Sequence, residues 1–371
     1  MPFKLQLITL LSFLAHEAKT LSIGQFGVSI TTASLTDHSR LDPFAPSSQA
    51  REIMISTFSP AADTCSSFRE TPYMPPNTAR FEGLKLYTAY GLPANFFSNL
   101  TMTTASPSCK VLANRNQSTI LFSPALGTSR HFYNILAATL ASHGHEVVTI
   151  DHPYDVDVVE FPNGTLVYGL DFSDAQIPLL IETRALDIRF VLDTLRNPLP
   201  GAGCGRATVS APIALAYGHS LGGAAALVAA AEDSRLRGAV NMDGSVIGGL
   251  PQNKSVTQPV LLFGHEGKNL TTDETWASVW PSLSGWRELI TLEGSQHYTF
   301  SDLPALVAGL GLNVTGSEGI QGMLGSIEGK EALENVTGVL ESFSKLAVGA
   351  IGAEDFTAVV QGYSKIDIVE S

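Results

Sequence analysis

The sequence predicts an α/β protein built on a mostly parallel central sheet with helices on both faces. Three observations carry that expectation. From Thr119 onward, short apolar runs alternate with segments whose apolar residues recur at helical spacing. The stretch Tyr217-Gly218-His219-Ser220-Leu221-Gly222-Gly223 joins an apolar run, Ile213 to Tyr217, directly to a small, helix-favouring run, Gly222 to Ala231. Finally, 44% hydrophobic against 15% charged residues describes a well-buried globular chain, and 371 residues fit a single domain of this class.

Taken in order, the chain opens with Lys4 ahead of an apolar run, Leu5 to Ala15, that is too short to span a bilayer. This reads as a secretory signal cleaved near Ala18, leaving 19–371 as one domain. Seven N-x-S/T sequons, at Asn99, Asn116, Asn163, Asn253, Asn269, Asn313 and Asn335, fit a secreted, glycosylated protein. No later stretch predicts a transmembrane helix, and Lys365 to Ser371 lacks the hydrophobic tail of a GPI signal. Of the three cysteines, Cys65 and Cys109 flank one inserted stretch and are the expected bridge, which leaves Cys204 over. None of them sits with a histidine at ligand spacing, so neither a metal nor a cofactor is expected. A net charge of −13 argues against nucleic acid as a partner.

Residues 23–59 read as an edge hairpin, with alternation over Phe26 to Thr32 and Arg51 to Phe58 around the turn Asp42-Pro43-Phe44-Ala45-Pro46. Residues 60–117 break that rhythm with Pro72, Pro75, Pro76 and Pro93, a short amphipathic piece near Ala79 to Tyr90, and Phe96-Phe97. The stretch is too long for a plain loop, and reads either as a cap over the site or as a surface excursion packed on the sheet. Phe96-Phe97 with Tyr87 to Leu92 would suit an apolar rim touching a lipid surface, or else the core. Strands follow at Thr119 to Phe122, Glu146 to Ile150, Ile213 to Tyr217, Gly238 to Met242, Pro259 to Phe263 and Glu288 to Leu292. Helices are expected over Arg130 to Ser142, Glu182 to Leu195 and Lys330 to Leu346.

A strand that ends in G-x-S-x-G and turns at once into a helix is a nucleophile elbow around Ser220. The serine must sit on a strained turn, and glycines at 218 and 222 remove side chains that would collide with neighbouring backbone. A serine hydroxyl needs a base and a group that orients the base, expected in the order serine, acid, histidine. Of nine histidines, His265 and His297 follow Ser220. His297, on the loop after the last core strand, is the expected base, and His265 comes one strand too early. Asp243 ends the strand after the elbow and is the expected acid, with Glu266 the alternative. His219 is expected to be structural, and the His143, His145, Glu146 group reads as helix-end polar residues. Two backbone N–H groups must receive the oxyanion: Leu221, and Leu126 in the loop Ser123-Pro124-Ala125-Leu126-Gly127.

With these residues in hand, the chain resembles the secreted platelet-activating-factor acetylhydrolases, in a fungal-type version of that α/β-hydrolase family. The matching pieces are Thr36 to Phe44, Leu121 to Gly127, Leu140 to Gly144, Asp151-His152-Pro153, and Arg184 with Asp187, Val191, Leu192 and Asp193. They continue with Gly218 to Gly222, Met242-Asp243-Gly244 and Gly294 to His297. The resemblance implies an α/β-hydrolase fold, with Ser220 as nucleophile, Asp243 as acid, His297 as base, and Leu221 and Leu126 as oxyanion donors. It also implies calcium-independent removal of a short sn-2 acyl chain. The family usually has His-Gly where this chain has Pro124-Ala125. Polyester hydrolases and cutinase-like lipases share the core, so a general lipase, cutinase or polyester hydrolase is the alternative among enzymes. A catalytically silent binding protein of the same fold is the alternative outside them.

Overall fold

The computed structural model describes residues 24–62, 64–112, 118–196, 213–312 and 318–371. The expected signal at 1–18, two sequons (Asn116 and Asn313) and Cys204 lie outside the described residues. β1 (Val28–Leu41) and β2 (Ala50–Pro60) form an antiparallel hairpin at the sheet edge. β1 runs well past the expected end at Thr32, because the β-branched Thr31, Thr32 and Thr36 keep the chain extended against β2.

The stretch from 60 to 117 holds β3 (Phe68–Pro72), α1 (Pro76–Tyr90) and β4 (Thr101–Ala105), with β3 and β4 paired antiparallel. Pro76 opens α1 with its preset φ, and Gly91, at φ 70°, closes it in the left-handed region. Cys65 and Cys109 are joined in a disulfide. Phe96 and Phe97 do not form a lipid-facing rim, in contrast to the first of their two sequence readings. Both are buried, and Phe97 packs edge-on against Phe132 at 5.3 Å and stacks with Tyr73 at 6.0 Å. Their aromatic area is worth more in the core than in water, so the stretch is packed onto the sheet layer there.

The core then alternates strand and helix through β5 (Ser118–Ser123), α2 (Asn134–Ser142) and β6 (Glu146–Asp151). A small hairpin, β7 (Val158–Glu160) and β8 (Leu166–Tyr168), precedes α3 (Ile177–Arg196). Next come β9 (Ile213–His219), α4 (Leu221–Glu232), β10 (Leu236–Met242), β11 (Val260–His265), α5 (Glu274–Val279) and β12 (Arg287–Leu292). The chain ends with α6 (Leu303–Gly309), α7 (Glu318–Leu324), α8 (Gly329–Ala347), α9 (Ala353–Gln361) and β13 (Ile366–Glu370). The nine-stranded sheet has the order β1-β2-β6-β5-β9-β10-β11-β12-β13. Strands β6 to β12 in that order pair parallel, while β1, β2 and β13 pair antiparallel at the two edges. The expected α/β-hydrolase architecture is therefore present.

Period-2 alternation sends successive strand residues to opposite layers. In β9, Ala214 and Ala216 join α3 and α4 on one face, while Leu215 and Tyr217 join α2 and α8 on the other. β11 divides in the same way, with Val260 and Leu262 against Leu261 and Phe263. The strand β13 was not legible in the sequence. Its Ile366, Ile368 and Val369 stand among Asp367, Glu370 and Lys365, a pattern suited to a short edge strand and easily read as a polar tail.

Among the sequons, Asn99, Asn163 and Asn253 are exposed and Asn269 is half-buried. Asn335 departs from the expectation of a glycan. It is buried in α8 and its Nδ2 donates to the Glu331 carbonyl at 2.7 Å, so the nitrogen a sugar would take is already enclosed.

Helix α1 carries one group at odds with its surroundings. Glu82 is fully buried, and neither carboxylate oxygen has a hydrogen-bond partner among the described residues. Burial first, and the negative charge of Asp157 second, push its pKa up to about 8 from an ordinary 4.5. A carboxyl raised in this way is protonated when folded and ionised when unfolded between those values. Its contribution is intact below pH 4.5, erodes as pH climbs toward 8, and is gone above that. Glu82→Gln, which keeps the shape of the neutral acid, should therefore match the wild type in melting temperature near pH 4.5. It should exceed it at pH 8 by the equivalent of about 1–3 kcal/mol. Parallel melts at the two pH values check this.

Candidate active site

Ser220 stands between β9 and α4 at φ 57° and ψ −126°, a left-handed conformation that a residue with a side chain adopts only when the surroundings force it. The forcing is backbone contact. A Cβ at Gly218 would overlap the backbone of Gly222, one at Gly222 would overlap the Ser123 and Pro124 carbonyls, and one at Gly244 would overlap the Ser220 carbonyl. The Ser220 N–H donates to the Met242 carbonyl at 2.7 Å, which ties the elbow to the end of β10.

Asp243 follows β10 at φ 60°, with its N–H donating to the Phe263 carbonyl at 2.9 Å. His297 begins the short turn His297–Phe300 beyond β12. Its Nδ1–H donates to Asp243 Oδ2 at 2.5 Å, which leaves Nε2 as the acceptor of the Ser220 hydroxyl at 3.0 Å. Burial alone would raise the pKa of Asp243. Hydrogen bonds from His265 and His297 and the charge of Lys268 outweigh it and hold the carboxyl well below the usual range. The three residues thus form one hydrogen-bonded series from a hydroxyl through an imidazole to a permanent anion.

The loop Ser123 to Gly127 leaves β5 beside this series. Three of its carbonyl and hydroxyl oxygens are drawn backwards by the buried Arg184, which donates to Ser123 Oγ at 3.3 Å, to the Pro124 carbonyl, and to the Ala125 carbonyl at 3.3 Å. The Ala125 N–H donates to Tyr133 Oη at 3.1 Å, and the Gly127 N–H to the Asp155 carbonyl at 3.0 Å. Pro124 has no N–H. The Leu126 N–H therefore has no internal acceptor among the described residues, and neither does the Leu221 N–H at the start of α4. Tyr133 also bonds to His219 Nδ1 at 2.8 Å, so a single buried hydroxyl couples this loop to the elbow. His219 is fully buried, and desolvation together with the charge of His297 pushes its pKa well below the ordinary value, which keeps it neutral.

Behind the loop lies a buried ionic network. Asp187 accepts from Arg51 at 2.7 Å, Arg40 at 2.8 Å and His152 Nδ1 at 2.9 Å, while His152 Nε2 accepts the Ser123 hydroxyl at 2.9 Å. Arg184 is paired with Asp155, and Arg51 reaches Asp42 at 2.9 Å. Sequence reasoning did not assign these residues to the site. Their signal was the presence of buried-type arginines within helix and strand runs, which becomes interpretable only when the strands are aligned. Lys85 of α1 donates to the Gly127 carbonyl at 3.1 Å and pairs with Asp157.

The rejected alternatives are also placed. Glu266 is exposed and accepts from the Gly294 N–H at 3.1 Å, with no hydrogen bond to His265 or His297 among the described residues. His265 bonds to Asp243 rather than to Ser220, with its Nδ1 2.7 Å from Oδ1. His145 bridges Ser118 Oγ at 2.6 Å and Glu341 at 2.5 Å, far along the sheet from the elbow.

The chain is similar to several known proteins. The family model described as platelet-activating factor acetylhydrolase, isoform II, matches residues 204–338. A protein of Arthroderma benhamiae named as a probable 1-alkyl-2-acetylglycerophosphocholine esterase is 29% identical over 350 residues, covering 88% of this chain and 87% of that protein. The platelet-activating factor acetylhydrolase of Canis lupus familiaris is 24% identical over 272 residues, covering 61% and 58%. Among solved structures, the ferulic acid esterase from Streptomyces cinnamoneus superposes with a TM-score of 0.79 at 26% identity, covering 94% of this chain and 98% of that one. Sequence and fold converge, and the chain is an ester hydrolase of α/β-hydrolase fold that is similar to the platelet-activating factor acetylhydrolases.

Proposed function

We propose that the protein removes the short sn-2 acyl group of 1-alkyl-2-acetyl-glycerophosphocholine-like phospholipids, through an acyl-enzyme formed on Ser220. The observation that carries this chemistry is the unbroken series of hydrogen bonds from Ser220 Oγ through His297 to Asp243, at 3.0 and 2.5 Å. In this reading His297 Nε2 takes the hydroxyl proton as Oγ attacks the ester carbonyl, and Asp243 steadies the imidazolium. The N–H groups of Leu126 and Leu221, free of internal acceptors, receive the oxyanion. His297 then returns the proton to the leaving alcohol. A water, deprotonated by His297, adds to the acyl carbonyl, and Ser220 leaves with that proton.

Support for the substrate class comes from the likeness to the Arthroderma and canine proteins. A second reading, a carboxylesterase of broader acyl range such as a lipase, cutinase or polyester hydrolase, draws its support from the fold likeness to a ferulic acid esterase. Export to an oxidising compartment is supported by the Cys65–Cys109 disulfide and by the exposed sequons Asn99, Asn163 and Asn253. Peripheral contact with a lipid surface would fall to the exposed Leu84 and Tyr87 of α1, since Phe96 and Phe97 are committed to the core.

Ser220→Ala should cut p-nitrophenyl acetate hydrolysis by at least about 10³-fold and abolish labelling by a fluorophosphonate probe. Retained turnover would end the nucleophile assignment. On a panel of sn-2 acyl lengths, kcat/KM should drop steeply beyond four carbons. A flat profile, or faster turnover of methyl ferulate, selects the broader esterase. Tyr133→Phe leaves the Ala125 N–H and a buried imidazole unpaired, so it should lower kcat roughly ten-fold and stability by about 1–3 kcal/mol. Steady-state kinetics and thermal melts of that variant measure both.

A further inference from the structure

Two imidazoles hold the carboxylate of Asp243, one on each oxygen. His297 Nδ1–H donates to Oδ2 at 2.5 Å, and His265 Nδ1–H donates to Oδ1 at 2.7 Å. The His265 backbone N–H reaches the same Oδ1 at 3.2 Å, so one residue grips that oxygen with two donors. The mechanism set out above uses only Oδ2.

The geometry of a carboxylate explains what the second grip does. Rotation about its Cβ–Cγ bond is soft, and a half-turn exchanges the two oxygens. An acid held only by the imidazole it must orient cannot fix that imidazole's bearing. Lys268 also lies near Oδ1, but at 3.5 Å it is beyond a short contact. Two of its three donors go to the Asp243 carbonyl at 3.0 Å and to Asp273 at 3.1 Å, and its ammonium lies over the Trp276 ring at 4.5 Å. The side-chain hydrogen bond to Oδ1 therefore comes from His265. His265 is the last residue of β11, paired alongside Leu292 of β12, so its backbone is fixed by the sheet. About a third of its side chain is exposed, so the ring can be exchanged without opening the core.

We infer that His265 is a positioning residue for ester hydrolysis, clamping Oδ1 of Asp243 so that Oδ2 stays directed at His297. This rests on the reading of Ser220, His297 and Asp243 as the catalytic set. His265 acts through the acid and touches neither the nucleophile nor the leaving group.

The test compares the full-length wild type with His265→Ala, His265→Asn and His265→Gln on p-nitrophenyl acetate, with Ser220→Ala and His297→Ala as controls and a melting curve for each. Asn carries its amide nitrogen where Nδ1 sits, whereas Gln carries it near Nε2 and cannot reach Oδ1. The clamp predicts that the Ala variant loses roughly ten-fold in kcat, about the weight of one hydrogen bond to a charged group, with KM within about two-fold. It also predicts that Asn returns kcat to within about three-fold of the wild type, while Gln stays near the Ala level. Wild-type kcat in all three variants overturns the clamp. So do an equal loss in all three, which would make ring packing the cause, and a rise in KM at unchanged kcat, which would make His265 a substrate contact. If the Ala variant fails to fold, the Asn and Gln pair alone still decides. Wild-type activity in Ser220→Ala or His297→Ala refutes the underlying catalytic reading. Inactive controls beside unimpaired His265 variants refute the clamp alone.

Discussion

Close backbone contact at Gly218, Gly222 and Gly244 is the constraint on which the site depends. Three chain segments, the end of β9, the start of α4 and the turn after β10, approach so nearly that any Cβ at these positions would overlap neighbouring backbone. That crowding keeps Ser220 at φ 57°, a conformation costing of order 1 kcal/mol that no local preference would select. The cost is offset by the parallel sheet on either side, where β9 pairs with β5 and β10 in register. The same contact brings the Ser123–Gly127 loop against α4, because the Cβ missing at Gly222 is the space its carbonyls occupy. Strain at the hydroxyl and proximity of the loop thus have one origin.

The second layer of the design is electrostatic. The loop turns its Pro124 and Ala125 carbonyls inward, where unpaired oxygens would be costly. Arg184 answers that demand by donating to Pro124 and Ala125 while remaining paired with Asp155. Behind it, Asp187 is a buried anion whose burial alone would raise its pKa. Contacts with Arg51 and His152 hold it far below the ordinary range. Taking these charges out of water is expensive, and replacing such a set with hydrocarbon often costs little in stability. Their use here is directional, because Arg184 and His152 hold groups of the loop in fixed hydrogen bonds. The stretch from 60 to 117 joins this frame from the opposite side, through Lys85 on the Gly127 carbonyl and through Tyr73, whose hydroxyl donates to the buried Asp302 at 2.7 Å.

The layer order, the elbow and the expected grouping of Ser220, Asp243 and His297, which the structure joins by hydrogen bonds, were legible in the chain, for they depend on periodicity and on local turn chemistry. Gly218 and Gly222 around Ser220 carry their own steric explanation, and alternation in β9 and β11 announces two buried faces. The β13 strand and the burial of Asn335 were not legible, and the choice between rim and core for Phe96 and Phe97 stood open, because each is settled by what packs against it. The same limit applied to the two histidines after Ser220. His265 and His297 each follow a strand, and sequence order treated them as competitors. Only the register of β10, β11 and β12 decides that one reaches the hydroxyl and both reach Asp243, 22 and 54 residues away along the chain. Local sequence determined which chemical groups stand at the sheet edge. Long-range strand pairing decided which of them share a hydrogen bond, because a bond of 3 Å between distant residues is set by the sheet that aligns them.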